Sequence, residues 1–201
     1  MKVYFIRHGA TKGNREHRYV GRTDEGLLPD VVEYLRKKQI TPVRRVYVSP
    51  RKRCIETAEC LYPKQEKCVV DALAECDFGV FEYHNYEELN GREDYQRFID
   101  TMGESGFPDG EDKKTFQKRC VKGFREILQR EKAQISLSKE SEDEGIALVV
   151  HGGTIMSVLD AFSMPHRDYY DWQVKNGEGF CTEVSWNEET DQIVIKVLEK
   201  I

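Results

Sequence analysis

At 201 residues the chain suits a single domain, and 39% hydrophobic with 33% charged residues excludes a largely disordered polymer. A formal net charge of −5 argues against a dedicated nucleic-acid binder, which carries a basic surface, but leaves room for a local basic pocket. No apolar run approaches the ~20 residues of a membrane span, and the hydrophobic stretch before Arg7 is too short for an export signal.

Residues 2–6 (KVYFI) are β-branched and aromatic and read as a buried strand that ends at Arg7-His8-Gly9. A second strand is predicted at 45–48 (RVYV). Ser49 behind it suits a helix N-cap and Pro50 the first helical position, followed by Cys54, Ile55, Ala58 and Leu61 at helical spacing. The stretch 76–111 is rich in Tyr, Asn, Glu and Gly and has no clean period. It is expected to be an insertion over the sheet edge, a lid or substrate wall, with Tyr83, Tyr86 and Tyr95 as candidate lining. Residues 112–131 carry a regular helical stripe (Phe116, Cys120, Val121, Phe124, Ile127, Leu128) with Asp112 as cap. The acidic stretch 136–145 reads as a solvated loop. A third strand at 146–150 (IALVV) turns at His151-Gly152-Gly153 into a helix, and 180–186 and 192–198 read as a terminal hairpin.

Strands alternating with helices predict an α/β fold, a three-layer α/β/α sandwich with a largely parallel mixed sheet, in one domain spanning 1–201. The six cysteines lie scattered with no C-x-x-C pair. They read as reduced thiols, and the chain as cytoplasmic.

Ligands of open parallel sheets bind beyond the carboxyl ends of the strands. There this sequence delivers Arg7-His8-Gly9, then Ser49 and Arg53, then His151-Gly152-Gly153. Two arginines offer planar forks of donors to a phosphate dianion. The Gly-rich turn at 152–153 adds a helix N-terminus. A histidine among arginines is held neutral by like charge, so either His8 or His151 can attack phosphorus while the other donates to its oxygens. A zinc hydrolase is disfavoured, since there is no H-E-x-x-H and the arginines would repel a divalent cation.

Five motifs in order resemble those of the histidine phosphatase, or phosphoglycerate-mutase-like, superfamily. They are Arg7-His8-Gly9-Ala10-Thr11-x-x-Asn14, then Val20-Gly21-Arg22-Thr23-Asp24, then Ser49-Pro50-x-x-Arg53, then Ala74-Glu75-x-Asp77-Phe78-Gly79, and Val150-His151-Gly152-Gly153. The resemblance implies that fold, and a metal-free, cofactor-free phosphomonoesterase. It makes His8 the phosphorylated nucleophile, Arg7, Arg53 and His151 the phosphate pocket, and Glu75 the proton donor. Asn14, Thr11, Gly21, Arg22 and Gly152 become further phosphate or substrate contacts. The chain departs from the pattern at Gly26-Leu27-Leu28-Pro29-Asp30 and at Pro108-Asp109-Gly110-Glu111, where one glycine of a Pro-Gly-Gly-Glu loop is replaced.

A short interval between Glu82 and Pro108 favours a phosphatase over a mutase. Within the family the opening looks most like the α-ribazole-phosphate phosphatases of cobalamin assembly. A broad-specificity sugar- or glycerate-phosphate phosphatase is the alternative, and a mutase or a silent phospho-ligand binding domain comes behind it. The expected partner is a small phosphorylated metabolite, with no nucleic acid and no membrane, and the chain is expected to be a monomer or homodimer.

Overall fold

A computed structural model describes residues 1–138, 144–187 and 189–201. Its elements in chain order are β1 (Lys2–Arg7), α1 (Lys12–Arg15), α2 (Pro29–Lys37), β2 (Arg45–Val48), α3 (Lys52–Leu61) and β3 (Lys67–Val69). They continue with α4 (Tyr86–Leu89), α5 (Glu93–Asp100), α6 (Lys113–Ser138), β4 (Ile146–Val150), α7 (Gly152–Phe162), β5 (Gly179–Asn187) and β6 (Gln192–Lys200). The strands form one sheet in the order β3-β2-β4-β1-β5-β6. The first four in that order run parallel, and β5 and β6 pair antiparallel at the other edge. The sheet is therefore mixed and largely parallel, as expected.

Alternation along each strand divides the core into two layers. Val3, Phe5, Tyr47, Leu148 and Val150 pack with Phe116, Phe124, Ile155 and Leu159 from α6 and α7. Tyr4, Ile6, Val46, Val48, Ala147 and Val149 pack with Leu35, Cys54 and Ala58 from α2 and α3. Every residue of β4 is buried, which is why it reads as an unbroken apolar run rather than an alternation. Burying one such Val or Leu side chain is worth about 1.5–3 kcal/mol. Register levels the carboxyl ends: Arg7 lies beside Val150, and Val48 beside Val149.

Several local expectations change. Ser49 does not cap α3. The helix begins at Lys52 without a side-chain cap from its N-cap residue Arg51, and Asp24 Oδ1 accepts from the Lys52 N–H at 2.7 Å instead. The Ser49 hydroxyl is buried and turned to His151, a partner it could not reach from a cap. Helix α6 starts under its Asp112 cap, with Thr115 N–H donating to Oδ1 at 2.9 Å. It runs on to Ser138, so 136–138 are helical, while 139–143 of the expected acidic loop lie outside the described residues. The edge strand β3 was not expected: three residues are too few to show a period.

Candidate active site

The ends of β1, β2 and β4 bring His8, Ser49 and His151 together. The His8 Nδ1 lies 2.7 Å from the Gly9 carbonyl oxygen. A carbonyl can only accept, so Nδ1 carries the hydrogen and Nε2 keeps its lone pair. The main chain of His8 is pinned as well: its carbonyl accepts from Gly177 N–H at 3.1 Å and from the Asn176 amide at 3.0 Å. His151 meets His8 edge to face, with centroids 5.1 Å apart. Its Nε2 is 2.7 Å from Ser49 Oγ and 3.6 Å from Cys54 Sγ, and its Nδ1 is 3.7 Å from Glu75 Oε2. Both imidazoles titrate well below 6.5. Burial is the first cause and the Arg53 charge the second, with Arg7 adding to both. Like charge thus helps to keep the histidines neutral, but desolvation does more.

Arg53, the second residue of α3, is fully buried. Its guanidinium donates to the carbonyls of Thr23 (3.0 Å), Val20 (2.9 Å) and Gly21 (3.3 Å), which fixes the 20–23 loop around it. Arg7 donates from Nη1 to the Val174 carbonyl at 2.7 Å. The Nε of each arginine is buried without a protein partner. Leaving a charged donor unsatisfied is costly, and an anion between His8 and these groups would relieve it.

Glu75 follows a short turn after β3. One carboxylate oxygen accepts from the Cys76 N–H at 3.0 Å. Burial raises its pKa, against the pull of Arg53 and the Cys76 hydrogen bond. It is a carboxyl biased toward its protonated form beside a neutral imidazole.

The remaining expected contacts scatter. The Thr11 hydroxyl accepts from Asn14 N–H at 3.4 Å and caps α1, while Asn14 Oδ1 accepts from the Thr11 N–H and from Asn176. Gly21 directs its N–H at the Glu82 carboxylate, 3.0 Å away, and a Cβ there would sit 2.2 Å from the Cys76 carbonyl oxygen. Arg22 is exposed and paired with Asp77 at 3.2 Å. Gly152 starts α7 with the Arg7 side chain laid against it, at 3.5 Å from a built Cβ. His17, His84 and His166 are exposed and lie outside the site. Asn176, which ties His8 to Asn14, carries no signal beyond the polar turn before β5.

Above this floor opens a cavity of about 370 Å³, bounded by Arg7 and Glu75 at one side and by Tyr19, Phe78, Phe107 and Tyr169 around it. The 76–111 segment does supply wall, through Phe78, Phe98 and Phe107 rather than its tyrosines. Tyr83 donates to Glu25, Tyr86 is exposed, and Tyr95 packs on Phe81.

Comparison with known proteins places the chain by family and fold. The family model described as histidine phosphatase superfamily (branch 1) matches residues 3–197. A proposed alpha-ribazole-5'-P phosphatase from Escherichia coli superposes with a TM-score of 0.74 at 19% identity, covering 99% of this chain and 96% of that one. The alpha-ribazole phosphatase from Shigella flexneri gives 0.72 at 20% identity over 98% and 96%. At those identities the likeness is one of fold. The phosphoglycerate mutase from Thermus thermophilus gives 0.69 at 26% identity over 100% and 98%. No curated protein matches the sequence.

Proposed function

The chain belongs to the histidine phosphatase superfamily, branch 1, and on that premise we propose that it hydrolyses a small phosphomonoester through a phosphohistidine on His8. The observation that carries this reading is the pair of buried, unpartnered guanidinium Nε–H groups flanking an imidazole whose Nε2 lone pair is free. In the first step Nε2 attacks phosphorus, the P–O ester bond breaks, and the protonated Glu75 gives its proton to the departing oxygen. In the second, water attacks the phosphorus, Glu75 takes the proton of that water, and the P–N bond breaks to release inorganic phosphate. Arg7, Arg53 and His151 hold the phosphoryl oxygens and supply the charge that a metal would otherwise provide. Asn14 and Gly152 support that pocket from behind.

For the leaving group, the aromatic lining of the cavity favours a ring-bearing alcohol over a polyol, because apolar walls cannot satisfy many hydroxyls. An α-ribazole 5'-phosphate, with its benzimidazole, fits that chemistry and agrees with what two of the similar structures are called. Glycerate and sugar phosphates are the alternative substrates. A mutase reading draws on the Thermus likeness.

The test is hydrolysis of p-nitrophenyl phosphate in EDTA together with trapping of labelled protein in alkali. Turnover should persist in chelator, acid-labile label should accumulate on His8, and His8→Ala should abolish both. Active enzyme that never carries label on His8 overturns the mechanism. Bisphosphoglycerate-stimulated interconversion of 2- and 3-phosphoglycerate would replace phosphatase by mutase.

A further inference from the structure

Glu75 has the most exacting position in the proposed reaction and little support from its own side chain. Its carboxylate accepts a hydrogen bond from the neighbouring Cys76 N–H and approaches His151 to 3.7 Å. It stands on a connection between β3 and the 76–111 segment, with one 3₁₀ turn at Asp71–Leu73 before it. Such a connection has no ladder of its own to fix it.

What fixes it comes from α6. The Arg119 guanidinium donates through Nη1 to the carbonyls of Ala72 (3.0 Å) and Ala74 (2.9 Å), and through Nη2 to that of Glu75 (3.2 Å). Its Nε and Nη2 also donate to the two carboxylate oxygens of Glu111, at 2.9 and 2.6 Å. These contacts match the five N–H donors of an arginine. Glu111 in turn brackets the far side: its carboxylate accepts from Asp77 N–H at 3.1 Å, and its own N–H donates to the Asp77 carbonyl at 2.9 Å. Residues 72–77 are thus gripped on both sides of the acid. A lysine, with a single nitrogen, could not span these carbonyls.

We propose that Arg119 and Glu111 are positioning residues for Glu75, setting the acid against the leaving oxygen by holding the main chain on either side of it. This rests on Glu75 being the acid, as argued above. Neither residue lines the cavity. Their loss acts on the one step that needs a placed proton donor, where a misplacement of about 1 Å can cost on the order of 10²-fold.

The experiment compares kcat for an alkyl phosphate, whose leaving group must be protonated, with kcat for p-nitrophenyl phosphate, whose leaving group needs little help. It is run on wild type, Glu75→Gln, Arg119→Gln, Arg119→Lys and the double variant Glu75→Gln/Arg119→Gln. Arg119→Gln should lose about tenfold or more on the alkyl ester and only a few-fold on the activated one, with Arg119→Lys between it and wild type. In the Glu75→Gln background the Arg119 change should add almost nothing. An equal loss on both esters, or the same factor with and without Glu75, overturns the proposal while leaving the phosphatase reading intact. If Glu75→Gln itself shows no selective loss, the acid assignment and this proposal fall together. Should Arg119→Gln not fold, Glu111→Gln gives the same test, with a smaller selective loss expected and an unselective one decisive against it.

Discussion

Burial pushes the His8 imidazole pKa down and the Glu75 carboxyl pKa up within one site, each shift disfavouring the charged form. The sign of each shift sets a limb of the pH profile. His8 must be neutral, so with its pKa depressed the acid limb of kcat/KM should lie below the ordinary imidazole value of 6.5. Glu75 must be protonated, and with its pKa raised the basic limb should lie above the ordinary 4.5. A rate profile on an alkyl phosphate should therefore be bell-shaped, and Glu75→Gln should abolish its basic limb. Retention of that limb would assign it to another group. The convergence of Arg7, His8, Arg53 and His151 was legible in the sequence because each lies at or just beyond a strand end, whereas Glu75 entered through the family resemblance alone. Arg119 and Asn176 were not legible. Their role lies in reaching backbone carbonyls far along the chain, and no local spacing encodes that.

Among the elements, the wall-forming segment depends on close packing of two turns. Gly79 has φ +51°, and a Cβ built on it would lie 1.9 Å from the Pro108 carbonyl oxygen and 2.6 Å from Gly110 N. Gly79→Ala should cost about 2–3 kcal/mol in urea unfolding and weaken kcat/KM for bulky esters more than for small ones, since Phe78 and Phe107 flank the contact. A wild-type urea midpoint would refute this. The strands at 2–6, 45–48 and 146–150, the long helix and the terminal hairpin were readable from period and turn residues. Helices α4 and α5 were not, because four and eight residues are too few to sustain a readable period.

Across the whole molecule, α6 is bolted to the amino end of β2, opposite the strand ends that carry the site, by a buried carboxylate. Glu131 on α6 accepts from Arg44 (2.8 Å), Arg45 (2.6 Å) and the Tyr47 hydroxyl (2.6 Å) on and before β2. Burial would raise its pKa, but those three donors outweigh it and the value falls. A depressed carboxyl stabilises the fold above its unfolded pKa, and that contribution fades as pH drops through the folded value. Glu131→Ala should cost about 3–5 kcal/mol and flatten the acid end of the Tm-against-pH curve, with kcat per folded molecule unchanged. A Tm within a degree of wild type would show the bolt to be idle. The three-layer plan followed from strands alternating with helices, whereas this cross-layer bond had no sequence signal, because a Glu on a charged helix reads as solvent-facing. Layering also determines which thiols a reagent can meet. Cys54 lies fully enclosed between α3 and the sheet, its sulfur against the His151 ring, so alkylation requires the helix to lift from the strands. Carboxymethylation at that position is then a clock for such breathing, and each tick would silence one enzyme.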